Sequence, residues 1–160
     1  MKILLLDDDV ETYRVLQDVA QFSNSKVIQV RSIQEAKEIL SSERDIDGIV
    51  AEIRLNGQPT WEILSFMRKN EDIKELPFIV LSSPLSDEEK EFFEHMKVTA
   101  ILEKPFNPLE VFTEILEHLK KVKGEEYIRE RLEEEEVDRS LLKSIIQKII
   151  NALKNIFKKK

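Results

Sequence analysis

The sequence predicts an α/β fold: a doubly wound, five-stranded parallel sheet with helices on both faces, followed by a C-terminal helical extension. Three observations predict it. Five short apolar runs of strand length recur between residues 2 and 102. Amphipathic stretches with helical spacing separate them. Each gap between runs is long enough for a helix to cross back over the sheet, as parallel neighbours require.

The elements follow in order. Lys2–Leu6 is an apolar run that ends in acids, the pattern of a buried strand. Val10–Phe22 has helical spacing, and Lys26–Val30 reads as a second strand. Ser32, with Glu35 three residues on, forms a capping-box pattern that opens a helix to about Leu40. Asp47–Ala51 is the third strand and Trp61–Met67 a helix with Pro59 near its start. Pro77–Leu81 is the fourth strand. Ser86, with Glu89 three residues later, starts another helix. Val98–Leu102 is the fifth strand. Asn107-Pro108 opens a helix through about Val122, with proline at its first position.

The chain has 160 residues, enough for one domain of ordinary size and an appendage. Hydrophobic residues make up 41%, which is sufficient for a core despite 36% charged residues. The absence of cysteine excludes disulfides and thiolate metal sites and fits a reducing, intracellular setting. The apolar run Ile3–Leu6 is too short for a signal-peptide core or a membrane span, so the expected location is the cytoplasm. Residues 1–122 carry 15 Lys/Arg against 24 Asp/Glu, a net of −9, which argues against nucleic acid as a partner. Residues 123–160 carry 10 against 8, a net of +2. The two histidines, His95 and His118, sit in predicted helices away from the strand ends, which argues against a histidine-based catalytic site.

In a doubly wound sheet, chemistry collects at the carboxyl ends of the strands. Asp7, Asp8 and Asp9 follow the first strand, Glu52 the third, Ser82 and Ser83 the fourth, and Lys104 the fifth. Taken singly, such residues are ordinary solvated loop groups. Together they place acids, a hydroxyl and a lysine at one edge. Acids there suit a hard divalent ion bound through oxygen. A lysine with a hydroxyl suits a transferred phosphoryl group.

Four segments carry a specific resemblance: Leu4–Asp9, Ile49–Gly57, Ile79–Ser83 and Glu103–Phe106. In order and spacing, residues 1–122 resemble the receiver domains of two-component response regulators, which have a flavodoxin-like fold. The resemblance implies that Asp7 and Asp8 form an acidic pocket and that Asp7, Asp8 and Glu52 would be the ligands of a weak Mg²⁺ site. Ser82 matches the switch hydroxyl that contacts a phosphoryl group. Lys104 matches the lysine that pairs with the acceptor carboxylate and phosphoryl oxygens. The Lys104–Pro105 bond is of the kind commonly cis in the family.

The chain departs from that pattern at its centre. Glu52 stands at the phosphoacceptor position, where the family has aspartate. The extra methylene moves the carboxylate outward, and in-line transfer tolerates little misplacement. Two outcomes fit: the longer carboxylate reaches Lys104 and imitates part of the phosphorylated state, or the site has decayed. Ile101 occupies the switch-aromatic position, and Pro59-Thr60 replaces an Asp-Gly pair common in the loop after the acceptor strand. The expected module is therefore a pseudo-receiver, not an enzyme, that signals through protein–protein contact independent of phosphorylation. The alternatives are a phosphotransfer-competent response regulator served by a histidine kinase and a membrane-surface adaptor.

The adaptor alternative comes from the tail. Residues 123–139 read as a charged helical linker and 140–160 as a basic amphipathic helix. On a helical wheel, Leu141, Leu142, Ile145, Ile146, Ile149, Ile150, Leu153, Ile156 and Phe157 fill one half. The other half is polar and lysine-rich; residues 140–160 hold six lysines and no acid. Such a face packs on its own receiver or a second copy, docks into a signalling partner's groove, or lies on an anionic membrane surface.

Overall fold

Strand β1 (Lys2–Leu6) is buried along nearly its whole length, because it lies inside the sheet with both faces covered. A computed structural model describes residues 1–43, 45–134, 147 and 151. The sheet adds β2 (Lys26–Gln29), β3 (Gly48–Ala51), β6 (Phe78–Ser82) and β7 (Ala100–Glu103) in the order β2-β1-β3-β6-β7, all parallel. Between β3 and β6, β4 (Arg54–Leu55) and β5 (Gln58–Pro59) form a two-residue antiparallel pair turned by Asn56 and Gly57, both at positive φ. The helices are α1 (Val10–Phe22), α2 (Ile33–Ser42), α3 (Trp61–Arg68), α4 (Asp87–His95), α5 (Pro108–Lys123) and α6 (Glu125–Glu134).

Alternation along the strands divides the core in two. Leu4, Leu6, Phe78 and Val80 face the layer of α2, α3 and α4, with Ala36, Leu40, Ile63, Met67 and Phe93. Ile3, Leu5, Ile79 and Leu81 face α1 and α5, with Leu16, Ala20, Val111, Ile115 and Leu119. β3 begins on glycine where α5 presses closest. A Cβ at Gly48 would meet Ile115 at 3.1–3.3 Å. Gly48→Ala is expected to cost about 1–3 kcal/mol by overpacking, as urea denaturation would measure; an unchanged midpoint would mean that Ile115 repacks freely.

The helix starts follow the sequence signals. Asp9, Ser32, Ser86 and Asn107 each accept a backbone N–H from the first turn, and Ser86 with Glu89 forms a complete capping box. Ser32 differs in one respect: Glu35 accepts from the Arg31 amide, at 3.0 Å. The second strand ends one residue sooner than expected, at Gln29. The fifth begins at Ala100, because the Val98 amide bonds the Phe93 carbonyl at the close of α4. The short β4–β5 pair was not expected. α5 runs to Lys123 and stops at Gly124, whose φ of 89° suits glycine. The expected linker is helical as α6 to Glu134. The basic segment 140–160 lies outside the described residues except for Gln147 and Asn151. These are helical, exposed and joined by a 2.9 Å hydrogen bond, and both belong to the half of the wheel that carries lysine.

Candidate functional site

The strand order reverses between β1 and β3, and the carboxyl ends there form the crevice where doubly wound folds place their chemistry. Lys104, one residue past β7, reaches into it. Its backbone amide is held by the Ser82 carbonyl at 2.7 Å, and the bond to Pro105 is cis. Its Nζ lies 2.7 Å from Asp7 Oδ2, 3.1 Å from Glu52 Oε2 and 3.7 Å from Asp9 Oδ2. One ammonium thus serves three carboxylates. Asp7 is 2% exposed, so it depends on that partner and on the Asp9 amide, which donates to Oδ1 at 3.0 Å. Both oxygens of Glu52 are engaged, since Oε1 accepts from the Ile53 amide at 2.8 Å.

Burial pulls the Lys104 ammonium down, but hydrogen bonding and charge from Asp7, then from Glu52, outweigh it and hold its pKa above the ordinary lysine value. At Asp9, burial acts to raise the carboxyl. Hydrogen bonds from Glu11 and Thr12, with the charge of Lys104, prevail and hold it below its usual value.

Asp7, Glu52 and Lys104 are therefore brought together as the sequence pattern implies. Ser82 is at the same edge, 1% exposed, and its hydroxyl has no hydrogen-bond partner among the described residues. Ile101 is half-buried against the α2–α4 core and supplies packing without a hydroxyl. Asp8 is exposed, and its side chain makes no ion pair among the described residues.

Of the three carboxylates expected as Mg²⁺ ligands, Asp7 and Glu52 both contact Lys104 in this structure, and Asp8 is exposed. No group of three or more His, Cys, Asp or Glu side chains among the described residues is placed to hold a metal ion. The Lys104 ammonium lies at contact distance from both Asp7 and Glu52.

Sequence reasoning missed two contributors. Asp9 was noted only as one of three acids, yet it both caps α1 and faces Lys104. Thr60 was noted as a departure from Asp-Gly, yet it is 2% exposed and its hydroxyl donates to the carbonyls of Glu52 and Ile53. Its amide also bonds the Ile53 carbonyl, at 2.9 Å. Thr60 fastens the backbone that carries Glu52. Its lack of a capping bond to α3 is the consequence, and only a contact map reveals that exchange. A cleft of about 470 Å³ bordered by Asp9, Thr12, Lys104 and Phe106 opens this edge to solvent.

No family model matches the sequence, and no curated protein does. Solved structures do match. The chemotaxis response regulator CheY4 of Vibrio cholerae is 24% identical, with a TM-score of 0.61, covering 76% of this chain and 97% of that one. The receiver domain of Francisella response regulator 1452 is 21% identical, with a TM-score of 0.64 over 76% and 98%. A two-component response regulator from Clostridium difficile is 19% identical, with a TM-score of 0.65 over 76% and 98%. The match takes in nearly the whole of each of those structures and leaves roughly a quarter of this chain outside it. At these identities the likeness concerns architecture: the chain has the flavodoxin-like fold of response-regulator receiver domains.

Proposed function

We propose that the chain is a receiver-like module of two-component signalling that acts through protein–protein contact without being phosphorylated. The observation that carries this reading is the Glu52–Lys104 contact at 3.1 Å. Contacts to Lys104 and to the Ile53 amide hold the longer Glu52 side chain in place, and in-line attack on phosphorus tolerates little misplacement of the attacking oxygen. The lysine thereby has the anionic partner that a phosphoryl group would otherwise supply. The module is not an enzyme in this reading, and its location is the cytoplasm; no described helix is long and apolar enough to cross a membrane.

A second reading rests on Ser82. A buried hydroxyl without a partner is costly, by about 1–3 kcal/mol, unless an added oxygen bonds it. A phosphoryl group would supply one, which favours the phosphotransfer-competent alternative. Intact-mass spectrometry after incubation with a small phosphodonor and Mg²⁺ separates the two. No adduct is expected. A stoichiometric phosphoryl adduct mapped to Glu52 would refute the phosphorylation-independent reading.

A further inference from the structure

On the α2–α4 side of the sheet, three aromatic rings meet at the surface. Trp61 of α3 and Phe92 of α4 stand edge to face with centroids 5.4 Å apart, and Phe93 lies 5.2 Å from Phe92. Phe93 is core, but Phe92 is 44% exposed. The Arg54 guanidinium sits 5.9 Å over the Trp61 ring. These side chains, with Ile53, Glu88 and Glu89, line an open cleft of about 260 Å³. That is below the range of about 300–1,000 Å³ usual for small-molecule pockets. It suits one or two anchoring side chains of a partner instead, with aromatic walls of the kind that dominate binding energy at interfaces.

The charge of α4, two of whose acids, Glu88 and Glu89, line the cleft beside Arg54, points to the partner's chemistry. Helix α4 carries Asp87, Glu88, Glu89, Glu91 and Glu94 against one lysine. The complementary ligand is an apolar segment flanked by cations, and this chain contains one: residues 141–157 put nine large apolar residues on one half of a helical wheel and lysine on the other.

The route from the tail to the cleft argues for a second molecule. Ile128 of α6 packs with the α1–α5 core, on the face of the sheet opposite Trp61 and Phe93. Between Glu134, the end of α6, and Leu141, the start of the amphipathic segment, lie six residues, a reach of about 23–25 Å at full extension. That length leaves little for a detour round the sheet edge, whereas another copy offers its cleft without one. We propose that the Trp61–Phe92 cleft receives the 141–157 segment of a second copy of the chain, so that two copies exchange tails in a closed, twofold dimer.

Sedimentation velocity on the full-length chain at rising concentration tests this, and the variants at Glu52 do not enter it. A monomer–dimer equilibrium is expected. Phe92→Ser and Glu88→Lys in the cleft, and the double change Ile145→Asp with Ile149→Asp in the tail, should each raise the dimer Kd by about tenfold or more. Both cleft positions are exposed, and circular dichroism checks the fold of each variant. The decisive sample mixes the Phe92→Ser chain with the tail variant. One intact tail and one intact cleft then remain, so a dimer weaker than the original but stronger than either variant alone should reappear. A full-length chain that stays monomeric overturns the proposal. So does a mixture that regenerates nothing, or a monomeric chain whose tail variant loses only its binding to anionic vesicles.

Discussion

Lys104→Met is expected to destabilise the fold by about 3 kcal/mol at pH 7, near the lower end of the range for removing one partner of a buried ion pair. The cost falls on Asp7. Its carboxylate is 2% exposed, and without the ammonium 2.7 Å away it keeps only the Asp9 amide. Glu52 and Asp9 would then repel it and each other. Lys104 itself is 21% exposed, so some water already shares the site, which places the estimate low in the range. The pH dependence follows from the directions of the shifts. The Lys104 pKa is raised in the folded chain, so its contribution is fully present below the ordinary lysine value of 10.5 and is lost as pH rises through the folded value. The wild type should therefore lose stability at high alkaline pH in a way the methionine variant does not. At the acid end Asp9 acts oppositely. Its pKa is depressed, so its contribution is present above the ordinary value of 3.8 and disappears as pH falls through the folded one. Urea denaturation across pH measures all of this. A deficit at pH 7 below about 1 kcal/mol would class the cluster with solvated surface pairs.

Why the sequence disclosed so much of the fold can be traced to particular elements. β1, β3 and β6 are buried on both faces and so read as unbroken apolar runs, and Ser86 with Glu89 announces α4 through a local bond pair that needs no tertiary contact. The edge strand β7 was placed two residues early. It is only half-buried, and its start is set by the turn that closes α4, a matter of backbone bonding that composition does not record. The β4–β5 pair is two residues on each side and depends on positive φ at Asn56 and Gly57, below the length at which periodicity carries a signal.

At the site, the sequence placed Asp7, Glu52, Ser82 and Lys104 at one edge because each stands at the carboxyl end of a strand or within two residues of it. What it left open was how the acids share the lysine. The sharing depends on side-chain reach: Asp7 and Glu52 lie within 3.1 Å of Nζ, Asp9 at 3.7 Å, and Asp8 stays outside. Thr60 has a role that its sequence position concealed, since a threonine before a helix reads as a cap and here bonds backward to the loop that carries Glu52.

Glu52→Asp is expected to turn an inert chain into one that accepts a phosphoryl group. The change removes one methylene and draws the carboxylate back by about 1.5 Å. Oε2 of Glu52 now stands 3.1 Å from Lys104 while Oε1 holds the Ile53 amide. A shorter side chain cannot keep both contacts from the same backbone position, which Thr60 fixes. A carboxylate oxygen drawn back to the shorter reach can attack phosphorus in line, expelling the donor's leaving group and forming an acyl phosphate. Lys104 would remain within the site to balance the new charge, and the Ser82 hydroxyl, without a partner among the described residues, would have an oxygen to bond. Since misplacement by about 1 Å can cost on the order of 100-fold in rate, the aspartate variant should label at least that much faster than the wild type. Time-resolved intact mass with a small phosphodonor reads the difference, and peptide mapping locates the adduct. Label that appears at residue 52 and disappears again on adding Lys104→Met would support the arrangement described. A folded aspartate variant that stays unlabelled would mean that the acceptor's length is not what silences the site. The cause would then lie in the grip of Asp7 on Lys104, which the substitution leaves intact.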